Sequence, residues 1–431
     1  MPDTLSDWLA HIERQHPQAI EMGLARVRQV AARMRLGRPA RRVVSVAGTN
    51  GKGSTVAFIE AIAREAGLRV GAYTSPHLFD YRERVRIDGR EADAAALVEG
   101  FEAVEAARGE TPLTYFEFGT LAALRLFERA ALDLAVLEVG LGGRLDATNL
   151  VDADVAVITT VDLDHQDWLG PDREAIGAEK AGIARAWKPL VLGEDDPPAS
   201  VLRHAYALGA SAIRAGNDFF FEPLDAGRWR WRELGHALEL PLPALAAPVQ
   251  LRNAATAIAA LRALDVDLPD ASIARGVAGA RLPGRLQHVV RDGVDVHVDV
   301  GHNPQAAREL AAWLHARPVR GRTHALYAPL ADKDAAGVVA ALAGDVDDWW
   351  LAGTPGAGAR GIDAATLAGR LRDSAAAHAR RHDDPATALA AILAAASRGD
   401  RVLVFGSFHA AGLALHALQG ADSEAAPGAG V

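Results

Sequence analysis

The segment that most constrains this chain is a strand, a glycine-rich turn and a helix in immediate succession. Arg42-Val-Val-Ser-Val46 is a short apolar strand, and Ala47-Gly-Thr-Asn-Gly-Lys-Gly-Ser54 is the turn. Val56, Ile59, Ile62, Ala63 and Ala66 then recur at helical spacing until Gly67 closes the helix. Backbone N–H groups of such a turn, at the positive end of a helix, hold phosphate oxygens, and Lys52 adds a point charge. The general phosphate-loop pattern puts Ser or Thr directly after the lysine, whereas Gly53 intervenes here before Ser54 and Thr55. A tight turn that binds nothing is the alternative.

Around this unit the chain alternates strand and helix. Residues 1–41 read as short helices, 69–73 as a strand, and 93–107 and 117–130 as helices. Leu134–Val139 and Val155–Thr160 are apolar on both faces, as buried parallel strands are. That alternation predicts a doubly wound α/β domain. Residues 216–250, rich in Trp, Phe and Pro, read as a small β excursion, followed by a helix from Asn253 to Leu264 and a turn at Leu282-Pro-Gly-Arg285. From about residue 289 the alternation restarts, with strands at Val294–Val300, His324–Tyr327, Asp348–Leu351 and Arg401–Phe405. The expected division is an ATP-binding phosphate-loop domain over 1–288, a smaller Rossmann-like domain over 289–420 and a disordered Ala/Gly/Pro-rich tail over 421–431.

Composition narrows the function classes. The net charge is −9 over 431 residues, so nothing attracts the chain as a whole to nucleic acid or anionic membranes. No apolar run reaches the ~20 residues of a membrane span. The N-terminus shows no signal-peptide pattern, and cysteine is absent. A cytoplasmic enzyme or binding protein is the expectation; its expected partners are small molecules, with no nucleic acid and no membrane, and its expected state is a monomer. Of 46 basic residues only four are lysine: Lys52, Lys180, Lys188 and Lys333. A lysine that survives such an arginine bias is a candidate for chemistry arginine cannot do, because only the amine can lose its proton and react. Lys188 falls in no motif and reads as incidental.

Three further segments carry chemistry-bearing residues. Glu138 ends an apolar strand and leads into Gly140-Leu-Gly-Gly143, the place where an α/β enzyme holds a metal; an ion pair to arginine is the alternative. Asp162, Asp164 and His165 cluster at the end of the next strand, with His165 a metal ligand or a structural hydrogen-bonder. Asp299-Val-Gly-His-Asn-Pro304 joins a strand to a helix in the second domain, as a site edge or as simple caps. Glu179-Lys180, taken alone, reads as an exposed helical pair.

Taken together these segments resemble the Mur ligase superfamily, specifically its folate branch, the dihydrofolate synthase/folylpolyglutamate synthase family. Gly48–Thr55, Thr74-Ser-Pro-His-Leu78, Tyr115-Phe-Glu-Phe-Gly119, Glu138–Asn149, Asp162–Gly170, Glu179-Lys-Ala-Gly182, Pro283-Gly-Arg285, Asp299–Pro304 and Gly406-Ser-Phe-His409 match in order across residues ~20 to ~410. The superfamily's own phosphate loop contains the extra glycine. The resemblance implies an α/β fold with a P-loop, Mur-ligase-like central domain and a smaller Rossmann-like C-terminal domain. It implies ATP contacts from Thr49, Asn50, Gly51, Lys52, Asn253, Arg285 and Asp299, with Arg285 and Asp299 at the domain boundary. Ser75, Glu138 and His165 would bind two Mg²⁺, and Lys180 would be carbamylated; Lys52, Lys180 and His165 would be catalytic. Glu21, Met22, Thr114, Tyr115, Phe116, Glu117, Leu145, Asp146 and Ala147 would bind the pteroate side. The implied reaction is ATP-dependent ligation of L-glutamate to 7,8-dihydropteroate and to reduced folates. Polyglutamate extension alone, or another Mur-type amino-acid ligation, is the alternative. His302, Lys333, Ser407 and His409 receive no role. Phe116 and Leu145 also have a plain reading as core.

Overall fold

The computed structural model describes residues 2–424 except 17, 19 and 226. They pack as two compact units, one formed by residues 1–244 and 250–281, the other by residues 245–249 and those from 282 onward. Leu286 belongs to the core of the second unit and Gln287 opens its first strand. Residues 282–288 therefore go with that unit, although the reading from sequence left them in the first domain.

The first unit is built on an eight-stranded sheet. Its strands are β1 (Ala40–Ala47), β2 (Val70–Tyr73), β3 (Val85–Ile87), β4 (Arg90–Glu91), β5 (Leu132–Glu138), β6 (Val155–Ile158), β7 (Pro189–Leu192) and β8 (Ser211–Arg214), in the order β4-β3-β2-β5-β1-β6-β7-β8. Six strands are parallel; β3 and β4 form an antiparallel margin beyond β2. The parallel strands are apolar because helices cover both faces. On one side Leu137 and Tyr73 meet Phe118, Phe127, Phe101 and Trp8; on the other Ala47 and Ile158 meet Ile176 and Val201. β7 and β8 were not anticipated from sequence: β7 opens on a proline, and β8 is a partly exposed strand at the sheet margin with polar residues at both ends.

The expected β excursion is an antiparallel meander, β9 (Phe219–Pro223), β10 (Arg228–Glu233) and β11 (His236–Pro241). Trp229 and Trp231 alternate inward from β10 and are fully buried. Trp231 donates its indole N–H to Ala255 O at 3.2 Å. The meander thereby braces the helix Val249–Ala263, which carries Asn253.

The second unit holds a six-stranded sheet: β12 (Gln287–Arg291), β13 (Val294–Val298), β14 (Thr323–Tyr327), β15 (Asp348–Ala352), β16 (Arg380–His382) and β17 (Arg401–Phe405), in the order β12-β13-β17-β14-β15-β16. β12 and β13 make an antiparallel hairpin and the other pairings are parallel, which is the Rossmann-like alternation expected. The final helix, Phe408–Glu424, runs into the segment read as a disordered tail; residues 425–431 of that tail lie outside the described residues. No helix among the described residues is long and apolar enough to cross a membrane.

One buried ion pair ties the N-terminal helix Ala25–Met34 to the helix Tyr115–Arg129 that covers the first unit's sheet. Arg26 grips Glu117 with both arms of its guanidinium, at 2.9 Å and 2.8 Å, and Glu117 is itself almost fully buried. Removing one partner strands the other charge in a low-dielectric environment. Arg26→Met is expected to destabilise the protein by about 2 kcal/mol, below the usual cost because Arg26 retains some solvent contact. A fall in the urea midpoint at constant slope measures it; an unchanged midpoint would show that the pair contributes nothing.

Candidate active site

The C-terminal ends of β1, β5, β6 and β7 lie side by side, and the polar residues follow directly on them. Register makes this so: Val46 pairs with Glu138 on β5, and Ala47 pairs with Ile158 on β6. The glycine turn thus emerges between Glu138 on one side and Thr159-Thr160 on the other.

Two glycines of the turn have no substitute. A Cβ on Gly48 would lie 1.8 Å from Thr159 Oγ1, and one on Gly51 would lie 2.5 Å from Asn253 Oδ1. Gly51 also has φ +87°, which favours glycine. Asn253 therefore abuts the phosphate loop, where the resemblance puts it. Lys52 opens the helix Lys52–Glu65 and its Nζ donates to Gly48 O at 2.9 Å and Thr49 O at 3.1 Å, arching over the loop. Thr49 fastens the loop to the next strand end. Its N–H donates to Thr160 O at 2.8 Å, and its hydroxyl donates to Asp162 O and accepts from Asp162 N, each at 3.0 Å.

Glu138 is only 4% exposed and accepts a hydrogen bond from Ser75 N at 3.0 Å, so the structure brings Ser75 and Glu138 together. His165 stands at the start of a short helix, Gln166–Leu169, with φ 51°, and its N–H donates to Asp164 Oδ1 at 2.9 Å. Among the described residues no three His, Asp or Glu side chains converge to hold a metal by themselves. A carboxylate with a neighbouring serine hydroxyl is nevertheless a hard-oxygen donor set. It fits Mg²⁺ or Mn²⁺, ions that take one or two protein carboxylates and fill the remaining positions with phosphate and water.

The Glu179-Lys180 pair is not the exposed pair its sequence alone predicts. Glu179 pairs with Arg144 at 2.7 Å, whereas Lys180 is 3% exposed. Burial pushes the Lys180 amine down to about 7, the neighbouring Lys52 ammonium lowers it further, and Asp164, Asp146 and Glu194 oppose the shift. Lys180 is thereby an amine that is substantially neutral near pH 7, within the electrostatic reach of the phosphate loop.

The residues expected at the pteroate side fall into two groups. Glu21 and Thr114–Glu117 are joined by Arg26, which ion-pairs with both glutamates. Thr114 and Glu117 form a capping box on the helix Tyr115–Arg129. Phe116 lies over Gly140, where a Cβ would come within 2.6 Å of its ring, and its centroid is 5.9 Å from that of Tyr73. Met22 approaches Gly142. Arg84 lies over the rings of Tyr81 and Tyr115 at 5.3 Å and 5.4 Å. Asp146 caps the turn Ala147–Leu150, accepting from Leu141 N, Thr148 N and Thr148 Oγ1, and burial raises its pKa. Leu145 is half-buried and Ala147 buried. The plain structural readings are thus satisfied at Thr114, Glu117 and Asp146, while Phe116 and Met22 stand at the glycine turn after β5.

Within the second unit, Arg285, Asp299 and His302 come together at the ends of β13 and β17. Asp299 accepts from Leu286 N and Gly301 N, each at 2.7 Å, and burial raises its pKa against the pull of Arg285. Arg285 lies over Phe408 at 5.2 Å, His302 Nδ1 meets Val300 O at 2.9 Å, and Asn303 caps the helix Pro304–Ala316. Ser407 donates to Ala328 O at 2.7 Å, and a Cβ on Gly356 would meet His409 at 3.0 Å. Lys333 is buried.

Sequence reasoning missed Glu194, Arg173 and Arg26. Glu194 follows β7 after Gly193, at the same sheet edge as Glu138, and burial raises its pKa to about 7. The available signal was an acid after Gly193 at the end of an apolar run, Pro189-Leu-Val-Leu192.

The Mur ligase middle domain matches residues 46–220, and the Mur ligase glutamate ligase domain matches residues 284–408. The dihydrofolate synthase/folylpolyglutamate synthase of Escherichia coli (strain K12) is 47% identical over 406 residues, covering 94% of this chain and 93% of its own. The structure of E. coli FolC in complex with DHPP and ADP superposes with a TM-score of 0.92 at 45% identity, covering 99% of this chain and 100% of that one. A bifunctional folylpolyglutamate synthase/dihydrofolate synthase with Mn, AMPPNP and L-glutamate bound gives a TM-score of 0.89 at 47% identity, covering 97% and 98%. The chain therefore belongs to the dihydrofolate synthase/folylpolyglutamate synthase family of Mur ligases.

Proposed function

We propose that this chain is an ATP-dependent ligase that adds L-glutamate to 7,8-dihydropteroate, giving dihydrofolate, and adds further glutamates to reduced folates. The observation that carries the chemistry is one juxtaposition. A phosphate loop with Lys52 emerges beside Glu138, and a buried Lys180 amine with a pKa of about 7 stands within its electrostatic reach. Both reactions are assigned because relatives at 45–47% identity over nearly the whole chain are named for both.

A carboxylate and an amine do not condense usefully in water, so the carboxylate is activated. Its oxygen attacks the γ-phosphorus of ATP, the β–γ P–O bond breaks, and ADP leaves an acyl phosphate. The amine nitrogen of glutamate attacks the acyl carbon, the C–O bond to phosphate breaks, and the nitrogen sheds its proton. Thr49, Asn50, Gly51 and Lys52 hold the phosphates, with Asn253 against the loop, and Lys52 offsets charge spread over the transferring group. Ser75, Glu138 and His165 would hold the divalent ions, two in number, which would neutralise phosphate charge when bound. The assignment of Arg285 and Asp299 to ATP rests on the family resemblance. Phe116, Met22 and Leu145 supply the apolar wall a flat pterin needs, with Glu21, Thr114, Tyr115, Glu117, Asp146 and Ala147 around it.

A plain ammonium at position 180 would repel the ions. The neutral amine instead adds CO₂ and loses a proton, becoming an anionic carbamate. The neutral fraction grows as pH rises through about 7, so the carbamate is lost as pH falls below that value. The same depression destabilises the fold at low pH. The unfolded chain keeps the proton up to the ordinary value of 10.5 and the folded chain only to about 7, so the penalty is complete below pH 7 and relieved towards 10.5.

Three outcomes test this reading. Lys52→Ala should abolish ligation while the melting temperature stays near that of wild type; an active, well-folded variant would remove the phosphate assignment. Lys180→Ala should be inactive and partly rescued by short carboxylic acids, and wild-type activity should fall when bicarbonate is stripped at pH 7. Insensitivity to both treatments would eliminate the carbamate. Phe116→Ala should lose dihydropteroate ligation by about tenfold more than tetrahydrofolate extension, the scale of one buried apolar contact. Wild-type protein that extends tetrahydrofolate but never glutamylates dihydropteroate would leave only the polyglutamate activity.

A further inference from the structure

We propose that Glu194 and Arg173 form a positioning pair that grips both backbone polar groups of Val161 and so holds the segment Asp162–His165 against the phosphate loop. Glu194 Oε1 accepts from Val161 N at 3.1 Å, and Arg173 Nε donates to Val161 O at 2.8 Å. The guanidinium closes the clamp on Glu194 Oε2 at 3.3 Å and on Asp196 O at 3.0 Å. One residue further on, Asp162 is locked to Thr49 of the phosphate loop through the two 3.0 Å hydrogen bonds described above. Val161 and Asp162 are thus tied on opposite sides, to β7 and to β1.

Two features make this more than an ordinary ion pair. His165 has φ 51°, a left-handed conformation that a non-glycine residue keeps only where its surroundings over-determine it. The clamp is the anchor from which that short loop departs. Arg173 also begins the helix Arg173–Ala181, whose other end carries Lys180. A single side chain therefore sets the β6 loop and the start of the helix that presents the reactive lysine. Surface pairs such as Arg228–Glu239 are solvated on both sides, whereas here Glu194 is largely shielded although Arg173 keeps solvent contact. Neither residue needs to touch substrate; their action runs through Val161.

This inference rests on the reading that the β6 loop serves the metal–nucleotide site, and the test separates the two. Full-length wild type, Glu194→Ala, Arg173→Met and the double variant are titrated with Mn²⁺ in the presence of AMPPNP, with free Mn²⁺ followed by EPR well below each melting temperature. Each single variant should weaken Mn²⁺ by about tenfold, the usual scale for a group that orients a ligand, and the double variant should be no worse than the weaker single. Glu194→Gln, which can still accept from Val161 N, should fall between. A purely structural role would lower the melting temperature and leave the affinity at low temperature unchanged, which would overturn the inference. So would additive losses in the double variant. Wild-type protein that binds no Mn²⁺ with AMPPNP would instead overturn the reading of the loop itself, and this inference with it.

Discussion

The pairing of β1 between β5 and β6 is the constraint on which the first unit depends. β1 is buried from Val43 to Ala47, so its register is held by how those side chains pack against the helices on both faces and by the backbone ladders to β5 and β6. In the observed register Val46 lies opposite Glu138 and Ala47 opposite Ile158. The phosphate loop, the buried carboxylate and the polar segment after β6 are then neighbours without any further device. Gly48 and Gly51 follow from the same closeness, since Thr159 and Asn253 occupy the space a Cβ would need.

Burial at this edge also sets the chemistry. Lys180 is pushed down to about 7, while Glu194 and Asp146 are pushed up, in each case chiefly by loss of water. Opposed shifts of this kind mark where groups have lost water beside the phosphate loop, which is where acid–base and metal chemistry is set. The lysines sort themselves accordingly. Lys180 and Lys333 are buried and Lys52 arches over its loop, whereas Lys188 is half-exposed beside Asp154.

Much of the fold was legible in sequence because parallel strands covered on both faces are unbroken apolar runs. The long strands β1 and β5, the helix after the phosphate loop and the alternation of the second unit all announce themselves this way. β7, which opens on a proline, and β8, a partly exposed marginal strand with polar ends, did not, and Glu194 was lost with β7. The pteroate-side residues show the opposite difficulty. Thr114 and Glu117 have a complete local explanation as a capping box, so their pattern in the sequence is that of a helix start.

By itself the sequence determined that a phosphate-binding α/β unit is followed by a second α/β unit, and its ordered motifs placed the chain in a ligase family. Local spacing suffices for that, since strand, turn and helix are set by neighbours along the chain. Only the tertiary structure decided that Lys180 is buried rather than an exposed helical partner of Glu179, that Arg26 joins Glu21 to Glu117, and that Arg173 and Glu194 close on Val161. Apart from Arg26–Glu21, those contacts join residues from 12 to 91 positions apart. Their existence depends on which strands pair and on how deeply each group loses its water, and neither is written in any local stretch of the chain.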